Sequence, residues 1–185
     1  MKIYIDTDVL SNIASGKWYK KEDGKSFSAI SELYPKSFCV SETLTLQEIQ
    51  EIKNISDPEL KNKVKEIYNR INKVSIPSLS YGGGSSTQDP DRTKLRKIFT
   101  PEIDKSSGPK SNYITHFQNR KGKRITVDAD HIYYSFKSGC DFFLTVDRDT
   151  IMRRYYNNKS EVDIIISPTK IVVPPTLLNL LNVVN

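Results

Sequence analysis

Three segments of this chain run from an apolar stretch into acidic residues. Residues 3–5 (Ile-Tyr-Ile) precede Asp6, residues 142–146 (Phe-Phe-Leu-Thr-Val) precede Asp147, and a third acidic segment begins at Asp128. Carboxylates that a fold brings together repel one another, so protons or a bound cation must offset the repulsion. The pattern therefore predicts a site for a hard metal ion.

Strand-like and helix-like stretches alternate along the chain. Apolar residues predict strands at 2–5, 38–40, 142–146, 164–166 and 171–173, and helical spacing predicts helices through 9–14, 44–55, 58–71, 129–136 and 177–181. Near-continuous apolar strands that alternate with helices indicate an α/β fold whose central parallel sheet is covered on both faces. Sites in such folds form beyond the carboxyl ends of the strands, where Asp6 and Asp147 are expected to lie.

The length of 185 residues fits one domain, 1–185, in which we expect a large insertion at about residues 77–125. A Gly/Ser tract at residues 81–86 predicts a flexible hinge into it. The stretch 92–124 holds ten Lys and Arg residues and two acidic residues, so it carries +8 in a chain of net charge +6. Aromatic residues lie among these cations, which favours binding of a phosphate backbone with base stacking. A solvated loop without a partner is the alternative.

Composition and spacing exclude several other classes of protein. No apolar run approaches the roughly 20 residues of a membrane span. Asp6 and Asp8 fall where a signal peptide would be apolar, so a cytoplasmic protein is expected. Cys39 and Cys140 both lie in apolar stretches, which predicts two buried thiols rather than a disulfide or a zinc site.

Four segments together resemble the acidic motifs of the PIN-domain ribonucleases, in the order in which that family has them. They are residues 5–10 (Ile-Asp-Thr-Asp-Val-Leu), residues 41–49 with Glu48, residues 128–132 (Asp-Ala-Asp-His-Ile) and residues 144–149 (Leu-Thr-Val-Asp-Arg-Asp). The resemblance implies a PIN-like three-layer α/β/α fold with a central parallel sheet. It also implies a phosphodiesterase centre that depends on Mg²⁺ or Mn²⁺.

The same resemblance implies which residues form the site. The catalytic set is Asp6, Glu48, Asp128 and Asp147, the metal ligands are Asp6, Asp128, Asp147 and Asp149, and the second-tier candidates, which tune the pocket, hold a water or cap a helix, are Asp8 and Asp130. An oxygen-only ligand set favours Mg²⁺ or Mn²⁺ over zinc. Glu48 also fits a capping box beginning at Thr45, in which it satisfies only a backbone amide. His131 follows Asp128 closely enough to face the same pocket, but beside aromatic residues a packing role is favoured.

The motifs imply metal-assisted hydrolysis of RNA, which requires no protein nucleophile. The basic residues expected to bind the RNA are Arg120, Lys121, Lys123 and Arg124. The expected substrate is single-stranded or looped RNA. Small PIN proteins include toxins that a small antitoxin neutralises, so an antitoxin protein is a candidate partner, as is a second copy of the chain in a homodimer.

Two other functions stay open at this stage. A non-catalytic PIN-like module would bind RNA or a protein through the basic stretch without cleaving it. Residues 6–9 (Asp-Thr-Asp-Val) after a strand also resemble the first motif of haloacid-dehalogenase-type phosphatases, in which the first Asp is the nucleophile. That family requires a separate strand-end Ser or Thr, whereas Thr145 lies only two residues before Asp147.

Overall fold

The chain folds around a five-stranded sheet in which every strand pair is parallel. A computed structural model describes residues 1–51, 58–75, 89–99 and 128–182, without the side chains of residues 46–48, 50 and 51. The strands are β1 (Ile3–Ile5), β2 (Phe38–Ser41), β3 (Asn72–Val74), β4 (Phe142–Leu144) and β5 (Lys170–Val172). Their order across the sheet is β3-β2-β1-β4-β5. The predicted α/β fold with a central parallel sheet is confirmed.

Helices connect the strands. They are α1 (Thr7–Ser15), α2 (Lys21–Leu33), α3 (Glu42–Glu51), α4 (Pro58–Arg70), α5 (Pro90–Phe99), α6 (128–137), α7 (Arg153–Asn157), α8 (Lys159–Ile166) and α9 (Pro174–Asn182). A π-helical turn at Arg148–Met152 leads directly into α7. Helices α1 and α6 are followed by glycines in the left-handed conformation, Gly16 with φ 66° and Gly139 with φ 65°, which residues with a Cβ adopt only at a cost.

The two faces of the sheet are buried in separate hydrophobic cores. Successive side chains of a strand point to opposite faces, and β1 follows this rule. Ile3 and Ile5 pack in one core with residues of α1, α2, α3, α4 and α9, whereas Tyr4 packs in the other with residues of α5, α6, α7 and α8. Helices therefore cover both faces, which gives three layers.

The strand order reverses at the centre of the sheet. The chain moves outward from β1 to β2 and β3, then returns to place β4 on the other side of β1 and β5 beyond it. In open parallel sheets the connections on either side of such a reversal diverge and leave a crevice beyond the carboxyl ends of the two central strands. The reversal here lies between β1 and β4.

One predicted strand is wrong. Residues 164–166 belong to helix α8, not to a strand. Val162, Ile165 and Ile166 are buried and Ile164 is 80% exposed. Because a helix turns about 100° per residue, the three-residue apolar run contributes two side chains to the core and one to solvent. An apolar run of this length looks the same in a strand and in a buried helix.

Several described elements were not predicted from the sequence, namely the strand β3, the helices α2, α5, α7 and α8, and the π-helical turn. Helix α2 consists mostly of polar residues, but Gly24 lets it approach Trp18. A Cβ atom at Gly24 would lie 2.7 Å from Trp18 Cδ1, closer than carbon atoms pack. Trp18 in turn packs on Phe27, with ring centroids 5.4 Å apart. The close packing of α2 on Trp18, and not a regular apolar period, stabilises this helix.

The segment 77–125 contains one described element, α5. Leu95 and Phe99 of this helix are fully buried in the core that also contains Tyr4. The rest of the predicted insertion, including the Gly/Ser hinge at 81–86, lies outside the described residues. Burying a Phe side chain stabilises a fold by about 1.5–3 kcal/mol. The part of the basic stretch that forms α5 therefore contributes to the core of the domain.

Cys39 and Cys140 are buried free thiols, as predicted. Their sulfur atoms lie 3.6 Å apart in a hydrogen bond. The hydrogen bond to Cys140 and burial together raise the pKa of the Cys39 thiol far above its ordinary value. Among the described helices, none is long and apolar enough to cross a membrane.

Candidate functional site

The candidate site lies beyond the carboxyl ends of the two central strands. Asp6 follows β1 directly and caps α1, where its Oδ1 accepts a hydrogen bond of 2.8 Å from the backbone N–H of Thr7. Asp147 follows β4 and caps the π-helical turn, where its Oδ1 accepts from the N–H of Thr150 at 2.8 Å. Both carboxylates therefore stand at helix N-termini, where the helix dipole favours negative charge.

Thr145 joins these two acids. Its hydroxyl donates to Asp6 Oδ2 at 2.8 Å and accepts from the backbone N–H of Asp147 at 3.1 Å. Its own backbone N–H donates to the carbonyl of Val172 in β5 at 3.1 Å. Because Thr145 is fully buried and Asp6 is only 5% exposed, the orientation of the Asp6 carboxylate is fixed by the fold. The Thr-x-Asp spacing is visible in the sequence, but it did not predict a role for this hydroxyl.

Asp128 begins the described part of α6 and is half-buried. Burial and the charge of Arg153 lower the pKa of the Arg154 guanidinium on α7, although the charges of Asp128 and Asp147 act to raise it. Arg154 still carries its charge at neutral pH, since an arginine cannot lose its proton under these conditions. Arg154 was not among the residues predicted for the site.

Asp23 and Arg148 form an ion pair beside the site. Arg148 Nη1 donates to Asp23 Oδ2 at 2.7 Å and Nη2 donates to Oδ1 at 2.8 Å. Asp23 is 1% exposed. The hydrogen bonds from Asp23 raise the pKa of Arg148 above its ordinary value, although burial opposes them. This bidentate contact holds the residue that follows Asp147 against α2, and no local sequence pattern indicates it.

Asp130 binds two arginines of α5. Each of its carboxylate oxygens accepts from Arg92 and from Arg96, at distances of 2.7 to 2.9 Å. Burial raises the pKa of Asp130, but the hydrogen bonds and charges of the two guanidinium groups outweigh it, so the pKa lies below its ordinary value. Asp130 thus anchors α5 to α6. Two cations of the basic stretch are engaged in this ion pair.

Of the remaining predicted residues, the structure describes the side chains of some and not of others. Asp8 lies in the first turn of α1 and Asp149 in the π-helical turn, and both are exposed. Glu48 lies on α3 as predicted, but its side chain is outside the described part. The predicted RNA-binding residues Arg120, Lys121, Lys123 and Arg124 also lie outside the described ranges. Their roles stay predictions.

His131 packs in the core. It is fully buried, and its Nδ1 lies 2.5 Å from the hydroxyl of Tyr4. That hydroxyl also accepts a hydrogen bond from the backbone N–H of Ser41 at 3.2 Å. The packing role favoured from the sequence is confirmed. The contact also ties α6, which carries Asp128, to the end of β2.

No known protein family, characterised protein or solved structure matches this chain. Its function has to be inferred from the residues at the carboxyl end of the sheet.

The donor atoms of the site are the kind that a hard cation takes. Asp6, Asp128 and Asp147 offer only oxygen ligands, which suit Mg²⁺ or Mn²⁺. Within the ranges 1–51, 58–75, 89–99 and 128–182, no group of three or more His, Cys, Asp or Glu side chains stands close enough to hold a metal ion. The predicted set includes Glu48, whose side chain is not among those described.

Proposed function

We propose that this protein is a divalent-metal-dependent ribonuclease with a PIN-like fold. The observation that carries the proposal is the Thr145 hydroxyl, which donates to the Asp6 carboxylate and accepts from the backbone N–H of Asp147, beyond the two strands at which the sheet order reverses. Open parallel sheets bind their ligands at this point. Two carboxylates at this point, of which Asp6 is nearly inaccessible to water, favour a cation over a neutral ligand.

Asp6, Glu48, Asp128 and Asp147 would hold the metal ion, with Asp149 as a further ligand. When bound, Mg²⁺ or Mn²⁺ supplies a Lewis acid that polarises the scissile phosphate and lowers the pKa of the attacking water. The chain itself fixes Asp6 through the Thr145 hydroxyl and Asp147 through the N-terminus of the π-helical turn. Because these ligands are oriented before substrate binds, little reorganisation is needed during the reaction.

The proposed substrate is single-stranded or looped RNA. The net charge of +6 favours a polyanion, and Arg120, Lys121, Lys123 and Arg124 would bind its backbone outside the site. The same proposal includes an antitoxin protein as partner, a homodimer and a cytoplasmic location. The protein would then be the toxin of a toxin–antitoxin pair.

The test is cleavage of a mixed-sequence single-stranded RNA by the wild-type chain with Mg²⁺, with Mn²⁺ and with a chelator. We expect cleavage that needs the metal and that Asp6→Asn and Asp147→Asn reduce by at least about 100-fold, since each removes a charged ligand. Asp163→Asn is the matched control, because Asp163 accepts from Tyr155 and Lys159 on α7 and α8 and is not one of the predicted site residues.

Two results would contradict the proposal. One is RNA cleavage that persists unchanged in both site variants while they remain folded. The other is RNA binding without cleavage under any metal condition, which would favour the non-catalytic module. A covalent aspartyl-phosphate trapped on Asp6 would instead support the phosphatase alternative.

A further inference from the structure

Two arginines of α5 share one carboxylate. Arg92 and Arg96 each donate from Nε to Asp130 Oδ1 and from Nη2 to Asp130 Oδ2, at distances of 2.7 to 2.9 Å. An ionised carboxylate has about four acceptor positions, so the two guanidinium groups occupy all of them. The two arginines together carry one positive charge more than Asp130 neutralises. The ion pair of Arg148 with Asp23 differs, because there one arginine meets one carboxylate.

Both arginines keep donors that face water. A guanidinium also carries N–H groups on Nη1, which the contacts with Asp130 leave unused. Within the described part of the chain, neither Nη1 atom has a hydrogen-bond partner, and neither is among the buried atoms that lack one. The side chains of Arg92 and Arg96 are 28% and 34% exposed. Their unused donors are therefore open to a ligand from solution.

The neighbouring acids do not balance the excess charge. Asp89 and Asp91 at the start of α5 each have a carboxylate oxygen 3.4 Å from the Nζ atom of Lys137. Within the ranges that the structure describes, no carboxylate other than that of Asp130 forms an ion pair with either arginine. An anion from solution would supply the negative charge that the fold does not.

We propose that Arg92 and Arg96 together bind a phosphate group of an RNA backbone through the donors that Asp130 leaves unused. The identity of the ligand as RNA rests on the proposed ribonuclease function. Arginine binds phosphate oxygens with strong, charge-assisted hydrogen bonds. Because Asp130 already holds both side chains in place, little side-chain entropy is lost on binding. The phosphate would also offset the repulsion between the two guanidinium groups, both of which donate to Asp130 Oδ2.

The arginine pair lies next to the candidate site but apart from it. Asp130 follows Asp128 by two residues on α6, and residues two apart on a helix do not face each other. A phosphate on the arginine pair would therefore bind on a different side of α6 from the Asp128 carboxylate. It would hold the RNA strand beside the site while another phosphate of the strand is hydrolysed.

A purely structural role makes a different prediction. If the two arginines only fasten α5 to α6, the loss of one would lower stability and leave RNA binding unchanged. Arg96→Met is the informative variant, because Arg92 remains to pair with the buried Asp130 carboxylate. Lys97→Met is the matched control, since it removes the same charge from the adjacent, exposed position of α5.

The experiment measures binding of a short, end-labelled single-stranded RNA by fluorescence anisotropy, in chelator and over a range of salt concentrations. We expect Arg96→Met to weaken binding by at least about 10-fold, as the loss of a charge-assisted hydrogen bond does. The slope of log affinity against log salt should fall by about 0.7, the value for one phosphate contact on a single strand. Arg96→Lys keeps the charge but not the planar fork, and it should retain the salt slope and lose part of the affinity. Lys97→Met should change affinity less than about 3-fold, since it removes only an exposed charge.

Three outcomes would overturn the proposal. They are unchanged binding in folded Arg96→Met, an equal loss in Lys97→Met, and absence of RNA binding by the wild-type chain. Should Arg96→Met not fold, the Arg96→Lys variant decides: affinity equal to wild type overturns the proposal, and a loss with a retained salt slope supports it.

Cleavage by the wild-type chain is measured in parallel, so that the two proposals can fail separately. RNA binding that depends on Arg96 without any cleavage would refute the ribonuclease function and leave the phosphate contact standing. Cleavage together with binding that does not depend on Arg96 would refute the phosphate contact and leave the ribonuclease function standing.

Discussion

The hydroxyl of Thr145 can be removed without changing the shape of its side chain. Thr145→Val replaces the hydroxyl by a methyl group of similar volume, so no cavity forms and the loss of hydrogen bonds is isolated. We expect the variant to fold with a lower free energy of unfolding and to lose most of the RNA cleavage proposed above, because the Asp6 carboxylate is no longer held in one orientation.

The magnitude follows from the two bonds that the hydroxyl makes. The bond to Asp6 has a charged acceptor in a residue that is 5% exposed, and such bonds contribute about 1.5–3 kcal/mol. The backbone N–H of Asp147 loses its acceptor as well. Asp147 is half-buried, so water can replace part of that bond and the additional cost is about 1 kcal/mol. We therefore expect a destabilisation of about 2.5–4 kcal/mol.

The assay is equilibrium unfolding in urea, with the slope m compared between the variants and wild type. Thr145→Ser is the control, since it keeps the hydroxyl and loses one methyl group, at a cost of about 0.5–1.5 kcal/mol. A double-mutant cycle with Asp6→Asn measures the coupling of the two side chains, which we expect at about 1–3 kcal/mol for groups in direct contact. Equal stabilities of the Val and Ser variants, or a coupling near zero, would show that the hydroxyl does not hold Asp6.

Three further substitutions test other contacts. The pKa of Asp130 is lowered in the fold, so its contribution to stability is present above about pH 4 and is lost as the pH falls below that value. Asp130→Asn should reduce the free energy of unfolding at pH 7 by about 2–3 kcal/mol and weaken the fall of that free energy with decreasing pH. A pH dependence parallel to that of wild type would contradict this. Gly24→Ala should lower stability by about 1–2 kcal/mol, because the clash with Trp18 exceeds the gain in helix propensity, and a higher melting temperature would contradict it. Asp23→Asn leaves Arg148 with a neutral partner and should reduce proposed RNA cleavage more than RNA binding, measured as kcat against KM; an unchanged kcat would show that this ion pair does not position Asp147.

The sequence predicted those features of the site that depend on local order along the chain. An acid directly after a buried strand has to lie at the carboxyl end of that strand, so Asp6 and Asp147 were placed correctly from the sequence alone. The parallel sheet and five of the nine described helices were predicted for the same reason, since the apolar period is a local signal. The strand predicted at 164–166 failed because three apolar residues are too few to show a period.

The contacts that the sequence did not indicate join residues far apart in the chain. The hydrogen bond from Thr145 to Asp6 spans 139 positions, and the ion pair of Arg148 with Asp23 spans 125. Such pairs depend on which strands become neighbours, and no window of sequence contains that information. Arg92 illustrates the same point, because composition attributes it to a nucleic-acid-binding stretch but does not indicate that the fold pairs it with Asp130.

The central position of β1 has a consequence for the timing of assembly. This strand is synthesised before the other four, yet its edge toward β4 has no partner until residues 142–144 emerge. Loop closure over such a span is slow relative to local helix formation. During translation the chain can dock α1 to α4 on β1 and β2, but it cannot bring Thr145 to Asp6. Most of the chain therefore leaves the ribosome before the Thr145 hydroxyl can contact Asp6. The site cannot be assembled on the growing chain until β4 has paired with β1.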